Sequence, residues 1–228
     1  MAPQPQPNTE TSVRAPKRDI DGFIKSPLVK VLIGPDTDRS ELHIHLSIIA
    51  ARSEFFASAL NGRWNNFDTK IVDLYKAAPD LVLEDVAHYL EAVYTNQIDD
   101  ENHSKRFDDI CKVYVVAERL HDVQTLNLAV EALYNRMQRL DPTTTVPGPK
   151  CLDIIYEGTA SAKDLMRKLI VDTWCTWGVD RLEDFLEDFL DTAPRQFLVE
   201  LAAAAVRKLV EDSEDQELIL DVKAYLED

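Results

Sequence analysis

Glycine is scarce in this chain, with only six in 228 residues, and none of them falls in a G-x-S-x-G elbow, a phosphate-binding loop or a dinucleotide-binding turn. Those motifs need glycine where the backbone turns sharply or approaches a phosphate, so hydrolase and nucleotide chemistry of these kinds lacks its framework. Cysteine is scarce too. Cys111, Cys151 and Cys175 are odd in number and far apart in sequence, which suits neither a disulfide framework nor a clustered zinc site and points to a reducing compartment. Positive charge is outweighed: 25 Lys and Arg stand against 41 Asp and Glu, for a net charge of -16, so phosphate backbones and anionic membrane surfaces are repelled on average. The expectation is no nucleic acid and no membrane among the partners. Nowhere do about 18 apolar residues run together, as a spanning helix requires. The Pro- and Gln-rich opening from Met1 to Asn8 has no apolar stretch of the kind a secretion signal carries. An intracellular protein, cytoplasmic and/or nuclear, is expected. No internal repeat is found.

What is present is a hydrophobic content of 45%, enough to bury a core. Residues 1–21 offer almost nothing to bury, so conformational entropy predicts a disordered tail there, with Arg14, Lys17 and Arg18 read as solvated linker charges. From Leu28 the apolar period is two. Val29, Val31 and Ile33 alternate with Lys30 and Leu32, and Leu42, Ile44 and Leu46 alternate with Glu41, His43 and His45, which predicts two strands. Gly34-Pro35-Asp36 supplies the reversal for an antiparallel hairpin, and Ile71 to Leu74 reads as a short third strand.

Helical spacing takes over after Leu46. Ile48 and Ile49 mark one short helix, and Phe55, Phe56, Ala59 and Leu60 mark the next, behind Ser53 as N-cap and ended by Gly62. Pro79 and Asp80 are read as the start of a longer helix with a buried stripe of Leu83, Val86, Ala87, Leu90 and Tyr94, stopped by Asn96. Phe107, Ile110, Cys111, Tyr114 and Ala117, then Val123, Leu126, Val130, Leu133 and Met137, predict a helical hairpin. Three prolines and three threonines between Asp141 and Lys150 mark the best internal boundary. Beyond it every segment reads as helix: 151–157, 162–177, 182–190, 194–209 and about 214–225. The fold class expected is α/β in the mixed α+β sense, a small sheet with helical hairpins over 22–140 followed by an all-α extension over 150–228.

This order carries a local signature. The run His45-Leu46-Ser47-Ile48-Ile49-Ala50-Ala51-Arg52-Ser53-Glu54-Phe55-Phe56 resembles the strand-to-helix segment of the BTB/POZ family. Ile71-Val72-Asp73-Leu74, Tyr89-Leu90-Glu91-Ala92-Val93-Tyr94-Thr95-Asn96 and Val113-Tyr114-Val115-Val116-Ala117-Glu118-Arg119-Leu120 follow in the family's order. The match spans about Leu28 to Met137 and is similar to a divergent fungal-type member with added helices. Asn96 stands where relatives carry glycine, and Trp64-Asn65-Asn66 where they carry an aromatic followed by acids.

The resemblance implies a protein-binding adaptor or scaffold without catalysis, since family members self-associate, recruit cullin-3 ubiquitin ligases as substrate receptors, or gather transcriptional co-regulators. The long N-terminal exchange element of dimeric relatives is missing, because only Ile20, Phe23 and Ile24 lead into the hairpin. Val86-Ala87-His88 stands where cullin-binding relatives carry a hydrophobic-x-Glu triplet, so His88 replaces the acid. Val86, His88 and Tyr89 are the expected partner-binding residues, with Phe107 and Tyr114 contributing.

The remaining chemistry-bearing patterns have plainer readings. His43 and His45 share a strand face but leave a tetrahedral zinc site half filled, so no metal is expected. His45 is read as bracing the first helix and His43 as facing solvent. Glu183, Asp184, Glu187 and Asp188 match the solvated face of a helix whose other face is Leu182, Phe185, Leu186 and Phe189. Cys111 lies on an apolar stripe as a core thiol, and Trp174 and Trp177 anchor the C-terminal helices. No cofactor and no catalytic residue is expected.

Overall fold

The computed structural model describes residues 25–61, 70–98, 107–139, 146–161, 164–176, 187, 189–211 and 225–226. The N-terminal tail, Gly62, Trp64-Asn65-Asn66, Trp177 and the expected final helix before Tyr225 lie outside these residues. The fold is mixed α+β and dominated by helices.

The alternating segments form β1 (Leu28–Ile33) and β2 (Ser40–His45), paired antiparallel with Val29 opposite Ile44 and Val31 opposite Leu42. Val29, Val31 and Ile33 are buried on one face, as the period of two requires. The reversal rests on Gly34, whose φ of +86° favours glycine and where a Cβ would stand 2.6 Å from the Asp38 carbonyl oxygen. Asp38 N–H donates to the Pro35 carbonyl at 2.9 Å to close the turn. β3 (Ile71–Asp73) adds parallel to β1, giving the sheet order β2-β1-β3.

Helices α1 (Leu46–Arg52) and α2 (Glu54–Ala59) meet at Ser53, which caps α2 as expected. The Ser53 hydroxyl accepts from Phe56 N–H at 3.2 Å and donates to the Leu120 carbonyl at 2.5 Å, joining the cap to a distant turn. Ser53→Ala removes both bonds and leaves the Leu120 carbonyl only the long bond from Phe55 N–H at 3.4 Å, so a loss of about 1–2 kcal/mol is expected in urea unfolding, with the slope against denaturant unchanged.

After α3 (Leu74–Ala77), the helix expected from Pro79 begins later, as α4 (Leu83–Thr95). Residues 79–82 instead form a turn in which Leu81 N–H donates to the Ala78 carbonyl and Asp80 receives the Arg119 guanidinium. The buried stripe is also rotated from the expected one. Val86, Tyr89, Ala92 and Val93 face the core, whereas Ala87 is exposed and Leu83 and Tyr94 are 40% and 37% exposed. So much of α4 is apolar that spacing of three and four can be drawn along more than one face, and a tertiary bond decides the rotation: the Tyr89 hydroxyl donates to buried Asp122 at 3.0 Å. Asn96 does stop the helix, at φ 55° and ψ 35°.

α5 (Phe107–Arg119) and α6 (Val123–Arg139) form the expected helical hairpin, turning through His121 at φ 51°. α7 (Pro149–Gly158), α8 (Leu165–Cys175) and α9 (Arg195–Glu211) follow, and every described element after Val146 is helical. One hydrophobic core runs from Val29 through α4, α5 and α6 to Trp174, Phe197 and Leu201, so the extension packs onto the sheet-bearing part. Two buried polar knots pin these layers. Arg52 and Asp122 tie α1 to the head of α6, while Asp164 caps α8 by accepting from Arg167 N–H and receives the Tyr114 hydroxyl of α5 at 2.9 Å. Burial pushes the Asp164 carboxyl above its usual range, against the pull of the bonds from Arg167 and Tyr114. Trp174 stacks edge-on against Phe197, anchoring α8 to α9 as expected.

Candidate functional site

α4 begins where Val82 turns the chain in and ends at the left-handed Asn96; the next residues, Gln97 and Ile98, fold back beside α5. Between these elements lies a narrow groove. Ala92, Ile98, Ile110 and Val113 make its apolar floor and wall, and His88, Gln97 and Asp109 supply polar edges. His88 and Ile98 are half-buried and Gln97 is exposed, so the groove is open to solvent along its rim. The His88 Nδ1 atom is buried yet meets no hydrogen-bond partner among the described residues. Buried polar atoms are normally satisfied, so this nitrogen carries an unmet hydrogen bond.

Of the five residues expected to bind a partner, this groove takes only His88. Val86 and Tyr89 are 1% and 0% exposed and belong to the core, so a partner cannot touch their side chains. Tyr114 is likewise buried and spends its hydroxyl on Asp164. Desolvation by burial, with Asp122 beside it, pushes the Tyr89 phenol far up, so it stays a neutral donor to that carboxylate. Phe107 is half-buried under the Arg136 guanidinium, 5.3 Å from the ring centroid, at the start of α5. Val86 and Tyr114 stand on stripes expected to be buried and the structure keeps them there, so their packing role excludes the binding one; only Tyr89, taken as outward, is turned inward by the rotation of α4.

Sequence reasoning missed Ala92, Gln97, Ile98, Asp109, Ile110 and Val113 as groove residues. Ile98 carried one usable signal, an apolar residue just past a left-handed helix stop, where chains commonly fold back onto a neighbour.

The other candidates settle into structural places. His45 holds the β2–α1 junction to the end of α4, since the Tyr94 hydroxyl lies 3.0 Å from both its Nδ1 and its backbone N–H. His43 is exposed. No group of three or more His, Cys, Asp or Glu residues able to hold a metal forms among the described residues. Glu183, Asp184 and Asp188 lie outside those residues, and Glu187 is exposed. No described helix is long and apolar enough to cross a membrane. Comparison with protein-family models and with curated proteins returned no match.

Proposed function

We propose that this chain is a protein-interaction module of the BTB type, an adaptor or scaffold that receives a segment of a partner protein in the α4–α5 groove and performs no catalysis. His88, whose buried Nδ1 has no partner among the described residues, lines the groove with Ala92, Ile110 and Val113, and this lining carries the reading. A partner segment gains there what recognition sites commonly combine, an apolar seat and one placed polar contact. The family resemblance adds support, because a hairpin, two short helices, a third strand, a longer helix and a helical hairpin occur in the expected order. A cullin-3 substrate receptor is the more specialised form of the same proposal.

Selection of displayed peptides against the full chain tests it. Bound peptides should carry an apolar side chain beside a hydrogen-bonding group, and Ile98→Asp on the groove rim should weaken them by on the order of tenfold or more. His88→Ala should weaken them while leaving the melting temperature within a few degrees. Peptides that bind Ile98→Asp and His88→Ala as well as the native chain would place recognition elsewhere.

A further inference from the structure

We propose that the open edge of β2 pairs with the same edge of a second copy of this chain, antiparallel and with Leu42 on the twofold axis, so that two sheets join into one. The hydrogen bonds of the sheet show which groups are open. Leu46 N–H donates to the Pro27 carbonyl at 2.9 Å, which makes Leu28 and His45 a facing pair that exchanges no bonds of its own. Alternation along the ladder then gives Ser40, Leu42 and Ile44 the bonds to β1 and turns the N–H and C=O groups of Glu41, His43 and His45 away from it. β1 agrees, since Lys30, opposite His43, sends its N–H to the Lys70 carbonyl at 2.8 Å, on the β3 side. The His45 N–H is taken by the Tyr94 hydroxyl at 3.0 Å, so that end of the edge is closed. The outward backbone groups of Glu41 and His43 meet no partner among the described residues, and both residues are exposed. Neither proline nor a bulge interrupts Ser40–His45 to protect this edge.

The order of residues on the edge is complementary to itself in one register. Two copies running antiparallel with Leu42 facing Leu42 set Glu41 of each opposite His43 of the other. Those are the bonded pairs, so every open N–H and C=O of Glu41 and His43 is satisfied and nothing is asked of the His45 N–H. On the outer face a carboxylate meets an imidazole across the seam, beside Lys30, whose Nζ lies 2.7 Å from Glu41 Oε2 within each copy. On the inner face half-buried Leu42 meets its copy at the closer spacing of a non-bonded pair and continues the core of Val29, Val31 and Ile44 toward the seam. Moving the axis to His43 would stack like groups and call on the N–H that Tyr94 occupies. A slip of one residue sets open groups against groups already spent on β1 and mismatches the two faces. A foreign strand would need an apolar residue opposite Leu42 and opposite polarity beside Glu41 and His43; the chain's own edge already carries both.

The seam is shorter than a standard interface, so a reversible dimer with a dissociation constant on the order of 100 µM is expected. Sedimentation of the full chain from low micromolar to millimolar concentration measures it. Glu41→Lys and His43→Glu should each weaken the dimer about tenfold, because the twofold axis repeats every charge change. The two changes together should restore it, since the exchanged charges again face each other. Both positions are exposed, and a melting temperature within a few degrees of the native one reports that the fold is kept. Hydrogen exchange read by NMR should slow at the Glu41 and His43 amides as concentration rises, with no change at Leu42, which is bonded to β1 throughout. Ile98→Asp should dimerise as the native chain does, so edge and groove are tested apart. A monomer at every concentration, a dimer indifferent to the single changes, no rescue by the double change, or exchange at 41 and 43 that ignores concentration would each overturn the proposal. A monomer whose Glu41 and His43 amides slow only when a peptide binds would overturn it too, giving the edge to a partner's strand.

Discussion

Asp122→Ala should lower unfolding stability by about 3–5 kcal/mol, the largest single loss expected in this protein, because it leaves a buried guanidinium uncompensated. Asp122 is fully buried and accepts at every side: from Arg52 Nε at 3.3 Å, the Tyr89 hydroxyl at 3.0 Å, Thr125 N–H at 2.9 Å and the Thr125 hydroxyl at 2.7 Å. The bond to Thr125 N–H makes it the N-cap of α6 as well. Arg52 completes the knot by donating to Asn96 Oδ1 at 2.9 Å and to the Thr125 hydroxyl at 2.6 Å. One carboxylate thus holds α1, α4 and α6 in register. Removing both charges is a different perturbation from removing one. Arg52→Met with Asp122→Ala should cost less than the sum of the single changes, since neither partner remains buried alone. Urea unfolding of the four proteins measures this. A loss below about 1 kcal/mol for Asp122→Ala would show that water reaches Arg52 and that the knot is not buried in solution.

Gly158→Ala should cost about 1–3 kcal/mol through overpacking, although alanine is ordinarily the better helix former. A Cβ at position 158 would stand 2.3 Å from Val115 Cγ2 and 2.6 Å from Cγ1. Valine is branched at Cβ and stiff, so it cannot swing aside as a long side chain would. The seam between α5 and α7 must open instead. Val115→Ala removes the obstructing methyls and leaves only the Cβ, 3.0 Å from the added one, so in that background Gly158→Ala should cost clearly less in thermal or urea unfolding. If Gly158→Ala costs the same with alanine at 115, the helices do not meet at this seam.

Local patterns read from sequence survived where one face or one turn decided them. The alternation in β1, the turn at Gly34, the Ser53 cap and the Asn96 stop each follow from a residue's own backbone or side-chain preference. The rotation of α4 did not, because Leu83, Val86, Ala87, Tyr89, Leu90, Ala92, Val93 and Tyr94 give it apolar residues nearly all round. Asp122, seven residues past Val115 in sequence but bonded across the fold to Tyr89 and Arg52, selects the buried face. The same long-range character hid the groove, whose residues come from α4, the chain just after it and α5, and the bond from the Cys151 thiol to Asp108. Of the candidate site, His88 entered through the triplet in which it replaces the family's acid; Val86 and Tyr114 were read both as buried and as partner-binding, and burial excludes the second role, while Tyr89 was placed on the wrong face.

The claim that matters most is that partner proteins enter the α4–α5 groove. A photoreactive phenylalanine analogue placed at exposed Gln97 on the groove rim, with Val199 on the outer face of α9 as the control site, measures it directly in cell extract. The account predicts discrete protein adducts from position 97 that vanish when Ile98→Asp or His88→Ala is added, with a different or empty pattern from position 199. Adducts at 97 that ignore both changes, or none at all, would contradict it.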